Sequence, residues 1–373
     1  MNAANATRAL AACAVLCAGH AQAELVQQAL SVNLLTEHDD NPTLAAGAAT
    51  GIWRLALAPS YQVSRSAGVD TLNARLGLRL ERASDSTVSA DRQDPSLSLN
   101  WQRATPMGGY GLAAAYEKLS TRVSELQDTG LVSADGSRSS TTLSANWSRA
   151  LDERNTLSFS GGHSGVAYSG GLNDYATVNA QATLSHVWDE RTDPYLSLST
   201  SRYLPETGGA SSTSYDMVAG VHLKFSERLE VGARAGLNTT RAQTERSGWQ
   251  GGIKLDYAQG SRTNLSANLS RSVTASGIGG FVEADQFTGG WRRALSDTDS
   301  AGLDLSWRKN RSGALGTTSQ ISLWASRELA PLWGLRLAYL YKQREGGGLA
   351  DASAHVLSVT LSYAHPDFSL SRM

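Results

Sequence analysis

The side chains of this chain that could do chemistry are few, and they stand close together in only a few places. His38-Asp39-Asp40 sets an imidazole beside two carboxylates, a grouping able to bind a metal or to activate water. A solvated turn rich in Asx residues uses the same letters. His163-Ser164 places a base next to a hydroxyl, but no acidic residue presents itself in sequence as the third member that would orient the imidazole. His222, between Gly220 and Lys224, reads as a lining residue. The sequence has no glycine-rich phosphate loop and no His-x-x-x-His pair. Hydrolysis at a cluster around His38, Asp39 and Asp40 is therefore one reading, but the chain is expected not to be an enzyme and to hold no metal or cofactor.

Charged side chains recur instead at every second position. From Ser214 to Leu237, Tyr215, Met217, Ala219, Val221, Leu223 and Phe225 share one side of an extended chain, while Asp216, Val218, Gly220, His222 and Lys224 share the other. After Ser226-Glu227-Arg228 the alternation resumes, with Leu229, Val231, Ala233, Ala235 and Leu237 against Glu230, Gly232, Arg234, Gly236 and Asn238. Period two means β-strand, and two such runs joined by a few polar residues mean a hairpin. A face carrying Lys, Arg, Glu, Asp and His along its whole length must meet water, so the apolar face must meet something else. Repeated along the chain, that is the pattern of a transmembrane β-barrel.

The same parity assigns Arg54, Arg75, Arg79, Lys224, Arg234, Lys254, Arg292, Arg308, Arg336 and Lys342 to a wet lumen, with Glu81, Glu117, Asp216, Glu230, Asp256 and Asp304 opposed to them. Mixed signs brace such an interior through cross-strand pairs, and a modest cationic excess suits an anionic solute. Tyr195, Tyr203 and Trp324 fall in the lumen phase, where they either stack on sugar rings or fill space. The triplets Asn-x-Ser/Thr at Asn146, Asn238, Asn264, Asn268 and Asn310 arise from composition in polar-facing strand positions.

About eighteen strands can be counted, the first over Gln28 to Thr36 and the last over Leu357 to Tyr363. Short breaks near Ser226, Ala258-Gly260, Asp297 and Ala330-Pro331 alternate with longer polar ones near Asp39, Asp85, Gln127, Gly170, Gly208, Thr244, Gly277, Arg311 and Gly347. Short periplasmic turns and longer external loops are the barrel arrangement, with both termini periplasmic. On that order Trp101, Trp147, Trp188, Phe225, Tyr257, Trp291, Trp333 and Tyr363 fall at the periplasmic rim of the lipid face, and Trp53, Tyr215, Trp249, Trp307 and Tyr341 at the external rim. Amphipathic rings favour that interface.

Residues 1–23 read as a secretory signal peptide, with Arg8, an apolar Ala9 to Ala18 and Ala21-Gln22-Ala23 before Glu24. Residues 24–364 then form the barrel, and 365–373 a short extension or the end of the last strand. Both cysteines, Cys13 and Cys17, lie in the leader. Without it the chain has 32 basic and 34 acidic residues, which argues against a nucleic-acid partner. No apolar run approaches the roughly 20 residues of a membrane-spanning helix. The expected fold class is all-β, a closed antiparallel transmembrane barrel of the bacterial outer membrane, with outer-membrane lipid as its surroundings.

Two stretches resemble a known group. The first strand followed by Glu37-His38-Asp39-Asp40-Asn41-Pro42, and the segment Arg271 to Asp285 around Ala275-Ser276-Gly277, resemble the outer-membrane β-barrel family encoded with exopolysaccharide and PEP-CTERM (exosortase) systems. That family typically has Pro-Ser-Gly where this chain has Ala275-Ser276-Gly277, and its barrels tend to finish on an aromatic residue, whereas here Tyr363 is followed by His365 to Met373. The resemblance implies a barrel serving export of a polysaccharide, with a periplasmic polysaccharide-export protein as partner, and carries over no active site. A general or small-solute porin is the alternative reading, and an outer-membrane hydrolase the third.

Overall fold

The computed structural model describes residues 24–47, 49–128, 136–169, 171–206, 208–311, 316–348 and 350–368. Residues 1–23, expected to be a signal peptide, lie outside the described residues, as do residues 369–373. Eighteen strands follow one another: β1 Glu24–Asp39, β2 Ile52–Ala67, β3 Asp70–Ala83, β4 Arg92–Thr105, β5 Gly108–Ser120 and β6 Ser137–Ala150. Next come β7 Asn155–Tyr168, β8 Tyr175–His186, β9 Thr192–Pro205, β10 Ser212–Ser226, β11 Leu229–Arg241 and β12 Glu245–Gln259. The last six are β13 Thr263–Ala275, β14 Phe281–Ala294, β15 Asp299–Asn310, β16 Thr317–Ala330, β17 Trp333–Glu345 and β18 Ala352–His365. One helix, α1 Thr121–Asp128, interrupts them between β5 and β6.

Each strand pairs antiparallel with its sequence neighbours, and β1 pairs with β18, from Leu30 opposite His365 to Asp39 opposite Val356. That last ladder closes the sheet into a barrel with no free edge, which lipid requires because it cannot hydrogen-bond an exposed strand. In the β2–β3 ladder the pairing passes from Leu57–Leu80 to Ser60–Gly77, skipping Pro59, whose nitrogen has no hydrogen to donate. The first strand is longer at both ends than the alternation alone suggests: Glu24 to Gln27 pair with β2 alone, and Glu37 to Asp39 with both β2 and β18. After His365 the chain turns, and the Phe368 amide donates to the Gln28 carbonyl at 2.8 Å.

The outward side chains are apolar and uncovered. Ile253 and Leu269 are 57% and 53% exposed, and the same holds around the barrel for Leu55, Leu143, Leu198, Leu323 and Leu357. A contiguous surface of this kind is stable only against lipid. Ring pairs mark one rim: Trp101 with Tyr110 at 5.5 Å, Trp147 with Phe159 at 5.7 Å, and Trp333 with Tyr363 at 5.0 Å between centroids. At the other rim the outward parity turns ionic. The Arg271 guanidinium lies 3.9 Å from the Trp249 ring centre and pairs with Asp285 at 2.6 Å, and Arg311 joins Asp285 at 2.8 Å. Trp249 and this ionic cluster mark where the apolar band ends on the long-loop side.

The connections keep the expected sidedness with two departures. Residues 242–244 join β11 to β12 in a tight hairpin where a long loop is expected, closed by an Arg241–Glu245 pair at 3.0 Å. The stretch from Val123 toward Gly136, expected to be a polar loop, begins inside α1, and residues 129–135 lie outside the described residues. The buried side chains gather at the long-loop end: Leu44, Leu126 and Ala354 in one cluster, Val166, Tyr175 and Tyr203 in another. A barrel wall has no core of its own. These clusters exist because segments from the external end fold inward.

Candidate functional site: the lumen and its external mouth

Two levels of the lumen differ in how their charges are held. At the external mouth α1 and the β1–β2 connection pack inward, with Leu126 of α1 against Leu44 and Ala354. Asn41 pins the β1–β2 connection by donating to the carbonyls of Ala45 at 2.9 Å and Ser353 at 3.0 Å. Arg344 donates to the Leu44 carbonyl at 2.9 Å. Around them Asp39, 1% exposed, receives Arg54 and Lys342, each at 2.9 Å, and Arg54 also binds Glu37. Glu81 receives Arg79 at 2.8 Å and, from α1, Arg122 at 2.9 Å. Basic residues outnumber acidic ones here: Arg54, Arg79, Arg92, Arg122, Arg138, Lys342 and Arg344 against Glu37, Asp39, Glu81, Asp94 and Glu125.

From the other side of the mouth, the connection 276–280 reaches the β7–β8 connection. The Asn173 amide donates to the Gly277 carbonyl at 2.8 Å. A Cβ at Gly277 would come 2.7 Å from the Tyr168 ring, so any larger residue would force the ring to shift. This is the segment singled out by its resemblance, and its place is the mouth.

Below the mouth the wall carries Arg75, His222, Lys224, Arg234, Lys254, Arg292 and Arg336, with Glu117, Asp193, Asp216, Glu230, Asp256, Asp304 and Glu328 among them. Lys254 pairs with Asp256 at 2.7 Å. Asp216 accepts from Asn238 and Gln250, both at 2.6 Å. Among the described residues Arg75, Lys224, Arg234, Arg292 and Arg336 form no ion pair, whereas Arg308, 8% exposed at the mouth, binds Asn310. Tyr195 lies flat over Gly220, where a Cβ would meet its ring at 2.4 Å, and His222 stacks on it at 5.3 Å.

Two expectations from sequence need correction. Tyr203 cannot be a sugar platform: it is 1% exposed, stacked on Tyr175 at 5.0 Å and met edgewise by Phe281, so neither face of the ring is free. His38, Asp39 and Asp40 are no loop cluster, since His38 and Asp39 are consecutive strand residues and point to opposite sides. His38 packs against the outward Trp53 at 4.8 Å while Asp39 holds its two cations inside. His163 stands opposite Leu143 and Val178, both outward, so Ser164 faces the other way and the two cannot cooperate. Among the described residues no group of three or more His, Cys, Asp and Glu side chains is placed to hold a metal. What sequence reasoning missed is α1, because an eight-residue polar stretch shows no period that separates helix from loop.

Arg122→Ala should loosen α1, since a hydrogen bond to a charged partner contributes roughly 1.5–3 kcal/mol. Larger or noisier single-channel currents than wild type are the expected result, and identical currents would show that α1 lies outside the ion path.

The fold defines an outer-membrane β-barrel, an 18-stranded closed antiparallel sheet with a lipid-facing band, a rim of paired rings and a wet lumen. No family model matches the sequence, and no curated protein matches it. Solved structures do share the fold. The outer-membrane protein OpdK of Pseudomonas aeruginosa superposes with a TM-score of 0.54 at 10% identity, over 91% of this chain and 98% of that one. OccK3 (OpdO) from the same organism gives 0.52 at 11% identity, over 92% and 96%. OpdQ, also from Pseudomonas aeruginosa, gives 0.50 at 9% identity, over 92% and 99%.

Proposed function

We propose that this barrel is an outer-membrane channel favouring anionic solutes, and that its cargo is a polysaccharide, anionic or weakly charged, handed over by a periplasmic export protein. The observation that carries the channel reading is the lumen itself: at the mouth basic side chains outnumber acidic ones, and on the wall below it five cations stand without an ion pair among the described residues. An excess of one sign inside a low-dielectric wall focuses the field and raises the local concentration of opposite charge. An 18-stranded barrel is wide enough to enclose an aqueous channel. The polymer rests on the sequence resemblance around Glu37–Pro42 and Arg271–Asp285.

The second reading, a porin for small solutes, is favoured by α1 and the connection 276–280, which narrow the mouth through which a polymer would leave.

Purified barrel in planar bilayers under a salt gradient should give a reversal potential of the sign set by anions. A cation-selective channel would overturn the electrostatic part of the proposal. Deletion of the gene in its native host separates the cargoes. Surface polysaccharide should fall while periplasmic sugar rises, whereas undiminished surface polymer with lost uptake of a small solute would hand the case to the porin.

A further inference from the structure

On the lumen wall formed by β14 to β17, one tryptophan organises two arginines. Gly302 stands opposite Trp324 in the β15–β16 ladder, and a Cβ at Gly302 would come within 2.3 Å of the indole. The missing side chain lets the ring lie against the wall, where it is 8% exposed. Its Nε1 donates to Asp304 Oδ2 at 2.9 Å, which fixes the rotation of the ring. Arg336 of β17 stacks over it with the guanidinium carbon 4.2 Å from the ring centre, and Arg292 of β14 approaches to 5.6 Å. Both arginines are exposed, and neither guanidinium forms an ion pair or hydrogen bond with another described residue. Arginines in a wet lumen usually turn to a carboxylate, as Arg54 and Arg79 do at the mouth. Here an aromatic face takes that role, and it leaves the N–H edges of the guanidinium unspent.

We propose that Arg292 and Arg336, seated on Trp324, form a binding site in the lumen for the carboxylate of an acidic sugar. A planar guanidinium presents paired donors that match a carboxylate, and stacking fixes its orientation before the solute arrives. Asp304 spends one oxygen on Trp324 and keeps the other for a hydroxyl donor, so a carboxylate flanked by sugar hydroxyls meets both kinds of partner. Trp324 is thus a platform for arginine, and the sugar meets the guanidinium edges. This assignment rests on the reading of the barrel as an anion-favouring channel and specifies where in the lumen the anion pauses.

The probe is trigalacturonate, added to wild-type barrel in a planar bilayer, with neutral maltotriose beside it. Trigalacturonate should interrupt the open current and maltotriose should not. Arg336→Gln and Arg292→Gln should each shorten the interruptions about tenfold, the loss of one charge-assisted bidentate contact. Arg336→Lys keeps the charge but not the planar fork, and should shorten them almost as much. Arg75→Gln removes one lumen cation elsewhere and should lower anion selectivity while leaving the interruptions within about twofold of wild type, as screening by salt limits its reach. Equal shortening by Arg75→Gln, full rescue by Arg336→Lys, or equal interruption by maltotriose would each overturn the site. Calorimetric titration of the detergent-solubilised protein with trigalacturonate separates the two claims. Heat released by wild type and lost in Arg336→Lys supports the site even in a barrel that does not conduct, and no heat from a conducting barrel overturns it.

Discussion

Ile253→Arg is expected to destabilise the barrel by about 2–4 kcal/mol, the cost of an arginine at the bilayer midplane of an outer-membrane strand. Ile253 lies four positions from Trp249 and four from Tyr257 on the same face of β12, so it stands midway between the two interfacial rings, and it is 57% exposed. An arginine there has the longest path to either headgroup layer and the least scope to snorkel. The next residue, Lys254, points into the lumen and pairs with Asp256 while remaining largely exposed. Its replacement by alanine should cost no more than about 1 kcal/mol, as exposed pairs do. Leu223→Arg is the depth control. Leu223 lies beside Phe225 near the short turn of β10, where the same substitution should cost about 0–1 kcal/mol. Urea unfolding in lipid vesicles, followed by tryptophan fluorescence and by migration of heated and unheated samples on gels, measures all three. Equal losses at Ile253 and Lys254 would mean that the assignment of faces on β12 is wrong.

Asp39→Ala should cost about 3–5 kcal/mol, the penalty for breaking a buried pair by removing one partner. Asp39 is 1% exposed and holds both Arg54 and Lys342 at 2.9 Å, so its loss strands positive charge in a mouth already rich in it. Removing Lys342 as well should recover part of the loss, because one of the two uncompensated cations goes with it. The same unfolding assay, run as a double-mutant cycle, reads the coupling. A loss below about 1 kcal/mol in the single variant would show that water reaches the freed cations at no cost. Because Asp39 also joins β1 to β17 across the closing ladder with β18, the single variant should soften the mouth as well, visible as added noise in single-channel currents.

The sequence alone determined the barrel. Lipid outside and water inside act on every strand separately, so each writes its own alternation, and the strand count, the even closure, the sidedness of the connections and the aromatic rims can be read without knowing any distant contact. Lumen residues such as Lys224, Arg234 and Lys254 follow from the same parity. Only the tertiary structure decided what those side chains meet. Strand register set Gly302 against Trp324 and brought Arg292 and Arg336 to its ring from two other strands. It also parted His38 from Asp39, neighbours in sequence that lie on opposite faces of the wall. The inward fold of α1 left no trace in the period, because Leu126 finds Leu44 and Ala354, and Arg122 finds Glu81, on segments far away along the chain. Docking of that kind is fixed by shape and charge at one place in space, and a repeating pattern cannot record it.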